Sequence, residues 1–138
     1  MTKTIAGLLL FAVSVVAIHG SARAVAQVGE PAMHAAVDAW LLLVDSGHYE
    51  QSWAELDAFM RGQVSKKQWV DALRVKRGKL GEVKGRSSLS QKALHGADAR
   101  EYEHIELAVQ FSSRPARETI TLVRGTDGSW QVCGYTVQ

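Results

Sequence analysis

The hydrophobic pattern of the chain changes its period at Gly81, and this change limits the folds that are available. Before Gly81, apolar residues recur at intervals of three and four, which is the spacing of amphipathic helices. After Gly81 they alternate with polar residues, as in half-buried strands. Helices followed by strands, with no internal repeat, predict a single α+β domain with its helices on one face of a sheet.

The first part predicts three helices. Helix one is expected over residues 30–45, helix two over residues 49–62, and helix three from a capping box at Ser65 and Gln68 to the glycine at Gly81. The residues predicted to face the core are Met33, Val37, Trp40, Leu41, Val44, Tyr49, Trp53, Leu56, Met60, Trp69, Leu73 and Leu80.

The second part predicts four strands in a curved, mostly antiparallel sheet. Residues 83–90 are polar enough for an edge strand, and residues 102–111 alternate most clearly. Residues 118–124 and 129–137 are joined by Gly125-Thr126-Asp127-Gly128, a sequence typical of a hairpin turn.

The N-terminus has the pattern of a secretory signal peptide. Lys3 is followed by an apolar run over residues 5–18 and by small residues with cleavage sites after Ala24 and Ala26. This run is short for a membrane span, which needs about 20 residues. We therefore expect residues 1–24 to be removed and residues 25–138 to form one domain, with a retained anchor as the alternative.

Export has consequences for charge and cysteine chemistry. Loss of Lys3 and Arg23 reduces the 16 basic residues to 14, equal to the 14 acidic ones, so the net charge does not favour nucleic acid. Cys133 is the only cysteine, and its place in a predicted strand indicates a buried apolar role rather than dimerisation or reactivity.

Four motifs occur in order along the chain. They are W-x4-D-x-G-x-Y-x2-S-W at residues 40–53, Q-W-x3-L-x3-R-x2-L-G at 68–81, E-T-x-T-L at 118–122 and D-G-x-W-x-V-x-G-Y at 127–135. Together they resemble an uncharacterised family of exported bacterial proteins that is known only as a domain of unknown function. Lys79 departs from the proline expected there, and residues 91–100 match none of the motifs.

The order of helices and strands is similar to the cone-shaped nuclear-transport-factor-like superfold, in which a curved sheet wraps over a long helix. The resemblance implies a pocket inside the cone. Members of the superfold include small-molecule-binding proteins, isomerases, dehydratases and domains used only for association, so the resemblance implies no particular reaction.

Aromatic side chains are the candidates for lining such a pocket. One tryptophan occurs on each predicted helix and one on the last strand, all at inward positions where they would also build the core. The candidate ligand pocket consists of Trp40, Tyr49, Trp53, Trp69, Trp130, Tyr135 and His48.

Polar pairs that could serve catalysis are few. His34 with Asp38, Asp45 with His48, and the strand face of Tyr102, His104 and Glu106 are interpreted as solvated or capping groups, with Asp45 expected to bond loop amides. No catalytic residue is assigned. The scattered histidines predict no metal site, and no phosphate-binding glycine loop or other cofactor motif is present in the sequence.

A basic segment offers a different kind of site. Residues 66–86 carry eight basic side chains against Asp71 and Glu82. They are interpreted mainly as the solvated side of a helix, with contact to anionic lipid or polymer as the alternative. The candidate anion-binding face consists of Lys66, Lys67, Arg74, Arg77, Lys84 and Arg86.

These patterns predict a periplasmic or secreted bacterial domain that binds a small molecule or a protein partner without catalysis. An isomerase or lyase is the first alternative, and it would need an acid or a histidine at an inward position. Because the predicted inward positions are mostly apolar, binding ranks above catalysis. An envelope-surface module is the second alternative, a homodimer is compatible with the pattern, and nucleic acid is not an expected partner.

Overall fold

The fold is known from a computed structural model, which describes the backbone of residues 21–138 and the side chains from residue 29 onward. The predicted signal segment lies outside the described residues except for its last few positions. The elements are α1 (Ser21–Asp45), α2 (Tyr49–Ala54), α3 (Ala58–Gln63), α4 (Lys66–Leu80), β1 (Val83–His95), β2 (Glu101–Phe111), β3 (Pro115–Arg124) and β4 (Trp130–Val137). None of the described helices is long and apolar enough to cross a membrane.

Helix α1 presents the predicted stripe to the core. Met33, Val37, Trp40, Leu41 and Val44 are all buried, as their spacing predicts. The helix is longer than expected, since it begins at Ser21 rather than near residue 30, and Pro31 lies inside it. Gly47, with a φ of 78°, follows its C-terminus in a conformation that favours glycine.

The prediction of one helix over residues 49–62 is wrong in one respect, because two short helices occupy this stretch. Leu56 is fully buried and forms a parallel bridge with Val132 of β4. Asp57 then starts α3: its backbone N–H donates to the Val132 carbonyl at 2.9 Å, and its carboxylate accepts from the Phe59 amide at 3.0 Å. Pairing with the sheet interrupts the helix.

Helix α4 agrees with its sequence signals. The Ser65 hydroxyl accepts from the Gln68 amide at 3.2 Å, and the Gln68 side chain accepts from the Ser65 amide at 3.0 Å, which completes the capping box. Trp69, Leu73 and Leu80 are buried as predicted.

The sheet is a four-stranded antiparallel meander in the order β1-β2-β3-β4. Strand β1 continues past residue 90 to His95, and its second half pairs with the start of β2, with Gln91 opposite Ile105. Backbone pairing rather than apolar alternation holds this half, since its side chains are exposed.

One face of the sheet packs against α1, α2 and α4. Its buried apolar residues include Ile105, Ile120, Leu122 and Val132, which join Trp40, Trp69 and Leu73 in one core cluster. The predicted α+β class, with N-terminal helices followed by an antiparallel four-stranded sheet, is confirmed.

Candidate functional site

A cavity lies between the N-terminal half of α1 and the end of the sheet that carries the β1–β2 and β3–β4 turns. Its volume is about 500 Å³. We call it the mouth pocket. It is lined by Gly29, Glu30, Met33, Gln91, Ala93, Leu94, His95, Glu101, Tyr102, Glu103, Arg124 and Trp130.

Trp130 differs from the other tryptophans in its hydrogen bonding. Three of the four indole N–H groups donate to oxygen atoms within the protein, namely Trp40 to the Ser52 carbonyl at 3.0 Å, Trp69 to the Ser52 hydroxyl at 3.0 Å and Trp53 to the Val64 carbonyl at 2.9 Å. The buried Nε1 of Trp130 has no partner among the described residues. A buried indole N–H usually finds an acceptor, so this donor is unusual.

Glu103 supplies an acceptor that is also unpaired. Its Oε2 is buried and has no hydrogen-bond partner within the described part of the chain. Glu103 stands opposite Leu122 of β3 in the sheet, and Leu122 is fully buried. Glu103 also lies two residues before the buried Ile105, so it is on the inward face of β2. Two residues that line the mouth pocket therefore carry a buried donor and a buried acceptor that have no partner in the described part of the chain.

The remaining charges at the pocket are mostly negative. Among the described residues, three carboxylates, those of Glu30, Glu101 and Glu103, and one guanidinium line it. The guanidinium is that of Arg124, which donates to Glu101 Oε2 at 3.0 Å and lies 5.8 Å from the centre of the Trp130 ring.

The residues predicted to form one ligand pocket are divided among several places. Trp40 packs edge-on against Trp69 and Tyr135, with ring centroids 6.2 and 5.1 Å apart, and these three rings belong to the interior. Trp53 lies under the Lys66 ammonium, 5.7 Å from its ring centre. Only Trp130 reaches the mouth pocket.

His48 and Tyr49 line a separate groove at the turn between α1 and α2. The groove has a volume of about 320 Å³ and also includes Arg74 of α4. Ser52, which follows in the same stretch, is fully buried; its hydroxyl donates to the Tyr49 carbonyl at 2.8 Å and accepts from Trp69. Through these hydrogen bonds and the one from Trp40 to its carbonyl, Ser52 links α1, α2 and α4.

The six residues of the predicted anion-binding face do not share one surface. Arg77 is buried, and the Arg86 side chain is one-fifth exposed. Lys67 and Arg74 lie 2.6 and 3.6 Å from Asp71. Lys84 lies 2.7 Å from Glu82. Two carboxylates, those of Asp71 and Glu82, therefore pair with three of the six basic side chains of the predicted face.

Arg77 and Arg86 belong instead to a group that we call the ion-pair cluster, at the end of the sheet opposite the mouth pocket. Its members are Asp45, Arg77, Arg86, Glu118 and Tyr135. Arg77 Nη1 donates to Glu118 Oε1 at 2.7 Å, and Arg77 Nη2 donates to Asp45 Oδ1 at 2.6 Å. Arg86 Nη2 also donates to Asp45 Oδ1, at 2.7 Å. Asp45 thus pairs with two arginines, and the expectation that it bonds loop amides is wrong.

The cluster shifts the ionisation of its members. Burial alone would lower the pKa of the Arg86 guanidinium, but hydrogen bonds and charges from Asp45 and Glu118 raise it above its ordinary value. Burial, together with the Glu118 carboxylate, raises the pKa of Tyr135 far above its ordinary value. The phenol therefore stays protonated and donates to Glu118 Oε1 at 2.6 Å.

The polar pairs considered for catalysis have other partners. His34 lies 3.9 Å from Glu30, His104 bonds Thr121 at 3.2 Å, and Tyr102 donates to Asp98 at 2.8 Å. Among the residues that the structure describes, no three His, Cys, Asp or Glu side chains are grouped so that they could hold a metal ion.

Cys133 is half-buried in β4. Burial raises the pKa of its thiol to about 11, so little reactive thiolate is present at neutral pH.

Sequence reasoning missed Glu103 and Glu118, although a signal was present. Side chains two residues apart on a strand share a face. Because Ile105 faces the core, Glu103, two residues before it, faces the core as well. In the same way, the inward position of Ile120 predicts an inward position for Glu118. The expectation that inward positions are mostly apolar overlooked these two acids.

Comparison with known proteins identifies a family. A family model described as "Protein of unknown function (DUF4019)" matches residues 36–135. A search of curated proteins gives no match. The resemblance of the four sequence motifs to a domain of unknown function is confirmed.

Two solved structures illustrate the structural likeness. A protein from Catenulispora acidiphila is 14% identical, with a TM-score of 0.48, over 79% of this chain and 92% of that one. ActVI-ORFA from Streptomyces coelicolor is 8% identical, with a TM-score of 0.48, over 79% of this chain and 95% of that one. Because the family match spans most of its length, the chain belongs to DUF4019, a family of proteins of unknown function.

Proposed function

We propose that this protein is an exported binding domain that takes a small molecule in the mouth pocket. The observation that carries the proposal is a pair of buried polar atoms, Glu103 Oε2 and Trp130 Nε1, which have no partner within residues 29–138 and belong to residues that line the same cavity. Export rests on the signal-peptide pattern of residues 1–24 and remains a prediction.

The energetics support a ligand at this place. Each buried polar atom without a partner costs about 1–3 kcal/mol, and a ligand that supplies the missing partner recovers part of that cost. The terminal torsion of a glutamate is soft, so rotation can turn the covered oxygen of Glu103 toward the cavity. The cavity volume of about 500 Å³ also lies within the range of small-molecule sites.

The Trp130 indole N–H provides a direct test. In ¹H–¹⁵N spectra the four indole signals are resolved apart from the backbone, and a Trp130→Phe variant assigns the one from the pocket. We expect compounds from a fragment set of amines, alcohols, amides and carboxylates to shift this signal while the signals of Trp40 and Trp69, which are bonded internally, stay in place. If no fragment shifts the Trp130 signal at millimolar concentration, the proposal fails.

A second candidate function is proton transfer, as in an isomerase or lyase. Glu103 favours it, because a carboxylate on a residue that lines a pocket is a suitable general base. If the protein is such an enzyme, a compound that shifts the Trp130 signal will exchange an acidic C–H for deuterium in D₂O, and Glu103→Gln will abolish the exchange. Binding without exchange leaves the non-catalytic proposal standing alone.

A further inference from the structure

The charges around the mouth pocket indicate which ligands it accepts. Carboxylates outnumber guanidinium groups by three to one among the lining residues. Arg124, the single guanidinium that lines the pocket in the part of the chain that the structure describes, already donates to Glu101 at 3.0 Å. This contact neutralises one carboxylate and occupies the cation that would otherwise attract an anionic ligand.

The two other carboxylates, those of Glu103 and Glu30, have little positive charge near them. Glu103 Oε2 is buried without a partner in the described part of the chain. Glu30 lies 3.9 Å from His34 Nε2, and both side chains are about half exposed. The two groups form an ion pair only when the imidazole is protonated. An incoming cation would therefore meet a negative field, and an incoming anion would be repelled.

The wall of the pocket also suits a cation. Indole is the aromatic ring that attracts cations most strongly. The Trp130 ring already holds the Arg124 guanidinium 5.8 Å from its centre, which shows that a cation is accommodated at this ring. The Nε1 group of the same residue is buried beside this wall and has no acceptor among the described residues.

We propose that the mouth pocket selects a small organic cation: a primary ammonium group on a compact apolar body, with a hydroxyl or carbonyl oxygen nearby. The ammonium group donates to Glu103, the oxygen accepts from Trp130 Nε1, and the apolar part lies against the Trp130 ring and Met33. The inference rests on the proposed function, since it names the ligand class of the same pocket.

Three probes of similar shape differ in charge, so they separate the effect of charge on binding from the effect of shape. Cyclohexylmethylamine carries a positive charge, cyclohexylmethanol is neutral, and cyclohexanecarboxylate is negative. Each is titrated at 150 mM NaCl, where interactions with distant surface charges are largely screened, and the Trp130 indole signal is followed. We expect the amine to half-saturate the signal at a concentration about tenfold lower than the alcohol, because hydrogen bonds to ionised groups are the stronger ones. The carboxylate is expected to give no shift.

Two matched variants test the role of Glu103. Glu103→Gln keeps the shape of the side chain and removes its charge, so the amine and the alcohol should become equal within about threefold. Glu106→Gln removes the same charge from the opposite face of β2, where Glu106 lies 3.7 Å from Arg117, and should leave the tenfold preference unchanged. A melting curve of each variant verifies that it is folded.

The outcomes separate the two proposals. Equal binding of amine and alcohol to the unmodified protein, or tighter binding of the carboxylate, overturns the inference about charge and leaves the pocket as a binding site. An amine preference that persists in Glu103→Gln also overturns it. A Trp130 signal that responds to none of the three probes overturns the inference, and the proposed function fails with it if the full fragment set also gives no shift.

Discussion

Replacing Glu118 by glutamine is expected to lower the free energy of unfolding by about 3–5 kcal/mol, because it breaks a buried ion pair and leaves a guanidinium uncompensated. The Glu118 side chain is 0% exposed and that of Arg77 is 4% exposed. A typical domain is stable by only about 5–15 kcal/mol, so this substitution removes a large part of the total.

The geometry around Glu118 explains the size of the effect. Its carboxylate accepts from Arg77 Nη1 at 2.7 Å, from Arg86 Nε at 2.7 Å and from the Tyr135 hydroxyl at 2.6 Å. Glutamine removes the negative charge and turns one acceptor into an N–H donor that faces guanidinium groups. The buried cations then keep their desolvation cost without the charge that offsets it.

Urea denaturation of Glu118→Gln and of a matched control measures the loss in the free energy of unfolding. Glu106→Gln is the control, because Glu106 pairs with Arg117 at 3.7 Å between side chains that are 32% and 53% exposed. Such a partly exposed pair contributes about 0–1 kcal/mol. Equal losses in the two variants would contradict a structural role for the ion-pair cluster.

The fold was largely predictable because its signals are local. The stripe of α1 and the capping box of α4 each lie within one helix, and both are confirmed. The break between α2 and α3 was not predictable in this way. It depends on the pairing of Leu56 with Val132, which are far apart in sequence. The second half of β1 likewise follows from its register with β2 rather than from its own composition.

The candidate site was much less predictable. Four tryptophans at inward positions look equivalent in sequence, and only their distant hydrogen-bond partners distinguish them. Alternation does place Glu103 and Glu118 on the inward face. The alternation does not indicate that Glu118 binds Arg77 and Arg86 while Glu103 lines a cavity. The pairing of charges across the sheet is a tertiary property.

The two inward acids should therefore respond to substitution with opposite signs. Glu103→Met is expected to raise the free energy of unfolding by about 0.5–2 kcal/mol, because methionine removes a buried oxygen that has no partner and keeps a similar length. A residue kept for binding at a cost in stability behaves in this way.

Urea denaturation without ligand measures this gain against Glu101→Met. Glu101 lies at the same end of β2 and pairs with Arg124 at 3.0 Å, with 55% of its side chain exposed. Its loss should lower stability by less than about 1 kcal/mol. The Glu103 variant should also lose the response of the Trp130 indole signal to cyclohexylmethylamine. A loss of stability on Glu103→Met as large as that on Glu118→Gln would show that Glu103 is held by partners in the folded protein, and the mouth pocket would no longer be a site that trades stability for binding.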